Sequence, residues 1–147
     1  MKKISLSVLA AFFCLLIAAN NVVAHCEIPC GIYDDQMRIS MISEHITTIE
    51  KSMNLIMEIQ KAKDHHATQL VRWVMNKENH ANELQEIVSQ YFMTQRIKFD
   101  AKDYDRKIGL LHQMLVYAMK CKQTTELENI KKLRETLQGF EALYFAK

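Results

Sequence analysis

The chain has 147 residues, enough for one domain with a hydrophobic core, and 49% of them are hydrophobic. It has only 3 glycines and 1 proline, which favours long helices over a turn-rich sheet protein, and its 24% of charged residues argues against a disordered chain. The formal charge of +2 comes with no basic stripe interleaved with aromatic residues, so we expect no nucleic-acid partner.

The first 24 residues have the pattern of a secretory signal peptide. Lys2 and Lys3 precede an apolar run that is shorter than the roughly 20 residues of a membrane-spanning helix. We therefore predict a signal peptide, 1–24, that is cleaved after Ala24, and a periplasmic or secreted mature protein without a membrane contact. The leader holds two of the 19 basic residues and none of the 17 acidic ones. The mature chain is then neutral, and any steering of a charged substrate must be local to its site.

The segment after the predicted cut, 25–33, concentrates metal-binding groups in the sequence HCEIPCGIY. Cleavage would make His25 the amino terminus, so a free amine and an imidazole would lie beside the thiols of Cys26 and Cys30. The amine, the Cys26 amide nitrogen and the two thiolates can form a planar set of two nitrogens and two sulfurs. That geometry suits nickel(II) or copper(II) better than zinc, which prefers a tetrahedron. The residues thus predict a metal-binding hook, with both metals open.

The cysteine count leaves a second interpretation of this segment. Cleavage would remove Cys14 and leave Cys26, Cys30 and Cys121, and an odd number in an exported chain is not typical of a disulfide framework. Cys26 and Cys30 could form a small-loop disulfide, or they could be a thiolate pair held by a metal.

Four amphipathic helices are predicted from apolar residues spaced three and four apart. The first begins at the N-cap candidates Asp34 and Asp35, the third after Asp103, and the fourth at the capping-box pair Thr125 and Glu128. The main predicted core positions are Ile39, Ile42, Ile46, Ile49, Met53, Ile56, Leu70, Val74, Ala81, Leu84, Val88, Tyr91, Tyr104, Ile108, Leu111, Leu115, Met119, Ile130, Leu133, Leu137, Phe140 and Tyr144.

The connections between these helices are short. The second helix is expected to run from about 64 to 98, and the polar patch at 76–82 in its middle allows a bend. Four helices with short connections predict an all-α fold, an antiparallel four-helix bundle over 34–147 that carries the hook at its amino-terminal end.

The motif H-C-x-x-P-C-G-x-Y, placed directly after a cleavage point, resembles the nickel hook of nickel-containing superoxide dismutases. Asp34, and Arg38 with Ile39 at the start of the first helix, also resemble that family. Beyond residue 39 the resemblance depends on helix count and chain length.

The resemblance implies an enzyme that disproportionates superoxide to oxygen and hydrogen peroxide with one nickel ion per chain. The implied ligands are the amine and imidazole of His25, the amide nitrogen and thiolate of Cys26, and the thiolate of Cys30. Tyr33 is implied as the active-site residue that lines the pocket where superoxide approaches. The implied assembly is a homohexamer of four-helix bundles.

The sequence departs from the family in two places. The hydrophobic leader differs from a polar propeptide removed in the cytoplasm. Ser40 and Met41 stand near the position of an acidic residue, and His80 stands where an arginine would support the axial histidine. His45 is expected to be packed or to lie near the site, and the histidines of the bundle show no ligand spacing.

Three functions follow from these interpretations. The leading one is a nickel superoxide dismutase. The alternative is a non-catalytic periplasmic module that binds or delivers nickel or copper through the same hook. The third is a helical interaction protein with a structural disulfide between Cys26 and Cys30.

Overall fold

Four long helices hold most of the residues that the structure describes. The computed structural model describes residues 29–62 and 66–146. Helix α1 spans Asp35–Lys61, α2 Ala67–Glu86, α3 Tyr104–Gln123 and α4 Leu127–Tyr144. A π-helical segment, Ile87–Arg96, continues α2. No strand occurs in 29–62 or 66–146, so the predicted all-α fold is confirmed.

The predicted leader and the ligands His25 and Cys26 lie outside the described residues. The chain divides between Cys30 and Gly31 into two compact units, and the second unit, Gly31–Lys147, contains the helices. None of the described helices is long and apolar enough to span a membrane.

The helices run antiparallel. Asp35, the first residue of α1, accepts hydrogen bonds from Arg96 at the end of the π-helical segment and from Tyr144 at the end of α4. The Nζ atom of Lys107, in the first turns of α3, lies 5.8 Å from the ring centroid of Tyr144. Helices α1 and α3 therefore begin at the end of the bundle where the π-helical segment and α4 end. This is the antiparallel arrangement that the short connections predicted.

The starts of α1 and α3 agree with the predictions, whereas α2 begins at Ala67 and not at about 64, and the start of α4 differs as well. The Oδ1 atom of Asp34 accepts the backbone N–H of Met37 at 2.9 Å and caps α1, as predicted. The predicted capping box at Thr125 is wrong, because α4 begins at Leu127 and its N-cap is Glu126. The hydroxyl of Thr124 instead accepts the N–H of Glu126 at 3.3 Å, a local side-chain bond that shifts the helix start.

The core is built from the predicted faces, and all six predicted positions of α1 are buried. Two predicted core positions are wrong, because Val74 and Met119 are 37% and 42% exposed. Lys77 is buried instead, and its amine donates to the carbonyl of Cys121 at 2.8 Å and to that of Lys122. A cation at the end of α3 is favourable there, because the last carbonyls of a helix carry negative partial charge.

Helix α2 stays α-helical through the polar patch at 76–82, where the sequence had allowed a bend. The geometry changes at Ile87, where π-helical pairing begins. In a π-helix a residue pairs with the one five positions away, whereas α-helical neighbours are three and four apart. The π-helical segment therefore brings Tyr91 and Arg96, five positions apart, onto one face toward Asp35.

Candidate metal centre and the Asp35 cluster

Cys30 is the one predicted nickel ligand that lies within the described part of the chain. It is exposed and lies in a turn. The next residue, Gly31, has a φ of +79°, a conformation that side chains with a Cβ rarely adopt. An exposed thiol in a tight turn fits the donor set predicted for the hook, since soft thiolates and deprotonated nitrogens suit nickel.

Tyr33 is held by its ring and not by its hydroxyl. The guanidinium carbon of Arg96 lies 4.3 Å from the ring centroid of Tyr33, and the ring of Tyr91 meets it edge-on at 5.8 Å. The Tyr33 hydroxyl makes no hydrogen bond within residues 29–62 and 66–146, and the residue is 38% exposed. The ring is therefore positioned while the hydroxyl is available to a bound molecule.

Asp35 is the centre of a hydrogen-bond network that we call the Asp35 cluster, formed with Tyr91, Arg96 and Tyr144. Its Oδ1 atom accepts the Tyr91 hydroxyl and the Arg96 Nε–H, each at 2.7 Å. Its Oδ2 atom accepts Arg96 Nη2 at 2.7 Å and the Tyr144 hydroxyl at 2.9 Å. Four donors from two helical runs thus converge on the first residue of α1, where the helix dipole also favours negative charge.

The protonation states of the Asp35 cluster follow from this geometry. Burial alone would raise the pKa of Asp35, but hydrogen bonds from Arg96, Tyr91 and Tyr144 lower the pKa below its ordinary 3.8. Burial and the hydrogen bond to Asp35 raise the pKa of both Tyr91 and Tyr144 to about 12. At neutral pH Asp35 is therefore ionised, and the two tyrosines stay protonated as donors.

Arg38 contributes a positive charge beside the same aromatic group. Its guanidinium carbon lies 5.0 Å from the ring centroid of Tyr91, the ring that also meets Tyr33. Its Nη1 atom lies 3.8 Å from the sulfur of Met41, while its Nε is buried without a hydrogen-bond partner. No described carboxylate forms an ion pair with Arg38. Whereas the charge of Arg96 is neutralised by Asp35, that of Arg38 is not.

His80 does not join the Asp35 cluster. Its Nδ1 atom lies 2.9 Å from Nδ1 of His45, and Glu83 is beside both rings. Of the two expectations for His45, packed or near the site, the first is confirmed, since the residue is buried and pairs with His80 of α2. His45 is ten residues along α1 from Asp35, which corresponds to roughly 15 Å of helix. The sequence had suggested no ligand spacing for these histidines, and the fold brings them together.

The sequence had identified Tyr33 but not the residues that hold it. Asp35 is separated along the chain from Tyr91 by 56 positions, from Arg96 by 61 and from Tyr144 by 109. At the level of sequence Asp35 is an ordinary helix-start residue, and Tyr91 and Tyr144 are ordinary seam residues. No local pattern indicates that their polar ends meet.

Comparison with known families gives a match over most of the chain. The family model for nickel-containing superoxide dismutase matches residues 20–147, which include the hook motif and all four helices. No curated protein and no solved structure matches the chain significantly.

Proposed function

The chain belongs to the nickel-containing superoxide dismutase family, and from this premise we propose that nickel is held by the hook, 25–33, and that superoxide disproportionates there. The family match over residues 20–147 carries the proposal, because it covers the hook motif and the bundle together. The reaction converts two superoxide anions and two protons to one oxygen and one hydrogen peroxide.

The proposed ligands are the amine and imidazole of His25, the amide nitrogen and thiolate of Cys26, and the thiolate of Cys30. Nickel bound there supplies one-electron chemistry between its divalent and trivalent states, which thiolate and amidate donors bring within reach. The amine exists only after cleavage at Ala24, so the proposal includes removal of the signal peptide, 1–24. A periplasmic or secreted location follows from the same cleavage.

Tyr33 is proposed to orient the incoming anion with its hydroxyl. Two observations support this role: the ring is fixed on Arg96 at 4.3 Å, and the hydroxyl has no partner within the described residues. Tyr33 also follows Cys30 by only three positions in the sequence. The Asp35 cluster positions Arg96 and, through it, the Tyr33 ring.

Arg38 is proposed to attract superoxide. A neutral mature chain has no overall field that attracts an anion, so a local charge must do so. Arg38 has no ion-pair partner among the described residues and lies on the ring of Tyr91, next to Tyr33. Arg96 is a weaker candidate because both carboxylate oxygens of Asp35 compensate its charge.

A homohexamer remains part of the proposal. The bundle leaves apolar side chains on its surface, among them Val71 and Met75 on α2 and Phe99 in the connection before α3. Apolar surface of this kind supports contacts between subunits. Light scattering coupled to size-exclusion chromatography tests this directly, and a monomer at micromolar concentration would contradict it.

The decisive experiment combines intact mass, metal analysis and a superoxide assay on the protein from its native compartment. We expect a chain that begins at His25, about one nickel per chain, and disproportionation that needs nickel. A mass that retains the leader would contradict the amine-ligand model.

Two variants and a control separate this enzyme from a nickel-binding module. One extra residue before His25 should abolish activity because it displaces the amine, and Cys26→Ser with Cys30→Ser should abolish nickel binding. Cys121→Ala is the control. Cys121 is buried in the core, so this variant should still bind one nickel. A chain that binds nickel and never disproportionates superoxide would instead be a binding or delivery module.

A further inference from the structure

His45, His80 and Glu83 bring three potential metal ligands to one point between α1 and α2. The Nδ1 atoms of the two histidines are 2.9 Å apart, and Oε2 of Glu83 lies 3.5 Å from His45 Nδ1 and 3.9 Å from His80 Nδ1. His80 and Glu83 are three residues apart on α2, so both lie on one helix face. His45 comes from the facing helix, 35 residues away in the sequence.

The separations match those of atoms that share a metal. Two nitrogens bound about 2.1 Å from one zinc ion lie roughly 3.0 Å apart at a right angle and roughly 3.4 Å apart at the tetrahedral angle. The observed 2.9 Å between the Nδ1 atoms is close to the first value. To reach the same separation of roughly 3.0 Å, Glu83 Oε2 must come closer to the two nitrogens by roughly 0.5 Å and roughly 0.9 Å, and its side chain, 56% exposed, has room to do so.

The chemistry of the three groups also suits a cation. Burial, as the largest cause, lowers the pKa of His45 even though Glu83 opposes the shift, so the ring is neutral at neutral pH. A neutral imidazole has the lone pair that a metal needs. His80 and Glu83 are partly exposed, which leaves an entry path and open coordination positions.

We propose that His45, His80 and Glu83 form a second metal site, which takes a divalent transition-metal cation such as zinc(II) and uses none of the hook ligands. Two imidazoles and one carboxylate with open positions form a donor set that zinc accepts in proteins. The bound ion takes the place of the proton in the hydrogen bond between the two Nδ1 atoms, and that proton moves to Nε2 of the ring that carried it. Because its ligands come from both α1 and α2, it joins these helices and stabilises the bundle.

The surroundings of His45 set an expectation for affinity. When Nδ1 binds a metal, the ring proton lies on Nε2, which is buried and has no hydrogen-bond partner among the described residues. A ligating histidine whose other nitrogen lacks a partner typically loses about 10–100-fold in affinity. The site should therefore bind zinc reversibly and lose it to chelators.

The test uses the full mature chain with Cys26→Ser and Cys30→Ser, so that hook thiolates cannot bind the probe. Titration with zinc chloride in a calorimeter should show one saturable zinc ion per chain, and zinc should raise the melting temperature. Adding His80→Asn should weaken zinc binding at least about 10–100-fold and remove the thermal shift. His112→Asn, a matched loss of an exposed histidine on α3, should change neither.

Glu83→Gln is the second variant, because Glu83 is exposed and its substitution leaves the packing intact. It should weaken zinc binding while the zinc-free melting temperature stays within a degree or two of the parent. The proposal is overturned if zinc does not bind the parent, or if it binds His80→Asn or Glu83→Gln as tightly as the parent. These measurements of zinc binding and melting temperature do not depend on the nickel content or the superoxide activity of the unmodified chain.

Discussion

Arg96 and Asp35 form a two-point ion pair in which Nε donates to Oδ1 and Nη2 donates to Oδ2, both at 2.7 Å. The pair connects the last residue of the π-helical segment to the first residue of α1. The guanidinium carbon of Arg96 also lies 4.3 Å from the ring centroid of Tyr33. One ion pair thus holds both an end of the bundle and the tyrosine proposed to meet superoxide.

Asp35→Asn should destabilise the protein by about 3 kcal/mol, because it leaves Arg96 partly buried without a charged partner. Tyr91 and Tyr144 also lose a charged acceptor. The free energy of unfolding in urea measures the effect. Asp105→Asn is the matched control, since Asp105 is exposed in the first turn of α3 and belongs to no such cluster. Equal losses in both variants would show that only the helix dipole matters.

The contribution of Asp35 to the free energy of unfolding should decrease at acid pH. Its pKa in the folded protein lies below the ordinary 3.8, so folding favours the ionised form. The stabilisation is complete above pH 3.8 and is lost as the pH falls through the lower folded value. The difference in unfolding free energy between the parent and Asp35→Asn should therefore be constant near neutrality and shrink in acid. If the difference in unfolding free energy instead grows below pH 3.8, the pKa of Asp35 is not lowered in the folded protein.

Tyr33→Phe should leave the fold intact and reduce kcat/KM for superoxide. Phenylalanine keeps the ring on Arg96 but removes a hydroxyl whose hydrogen bond is worth about 1 kcal/mol, or about fivefold in rate. Tyr33→Leu should reduce the rate further, because the ring that contacts Arg96 is lost as well. Stopped-flow decay of superoxide with unchanged nickel content checks both. If Tyr33→Phe matches the parent at every superoxide concentration, the hydroxyl has no role.

Arg38→Gln should lower kcat/KM by about 10-fold at low ionic strength, the lower end of the range for electrostatic steering. The gap should close as salt is added, because salt screens the attraction. Arg72→Gln on α2 removes an exposed charge of the same type and should leave the salt dependence unchanged. A purely structural role for Arg38 would lower the rate equally at all salt concentrations.

Cys121 should resist thiol reagents in the folded protein. Burial is the largest cause that raises its pKa to about 11, and the nearby charge of Lys77 only partly opposes it. At neutral pH the group is therefore a protonated thiol with no access to reagent. Peptide mass mapping should find Cys30 labelled in the metal-free chain and Cys121 labelled only after denaturation. Rapid labelling of Cys121 under native conditions would contradict its burial.

The sequence alone determined the class of the fold and predicted the type of site. Apolar residues spaced three and four apart placed four helices, since a helix buries the side that repeats at that period. All six apolar positions predicted on α1, from Ile39 to Ile56, are buried. The hook residues alone predicted a nitrogen–sulfur metal site for nickel or copper, because these residues are neighbours along the chain, and the resemblance to the family implied nickel.

Tertiary structure alone decided which polar groups meet. Asp35 and Tyr144 are 109 positions apart, and His45 and His80 are 35 apart, so no local pattern relates them. The π-helical turn that brings Tyr91 and Arg96 onto one face is likewise absent from the apolar periodicity. Periodicity records which side of a helix is buried. Which partner a buried carboxylate or imidazole finds depends on how the helices are packed against one another, and that is fixed only in the folded bundle.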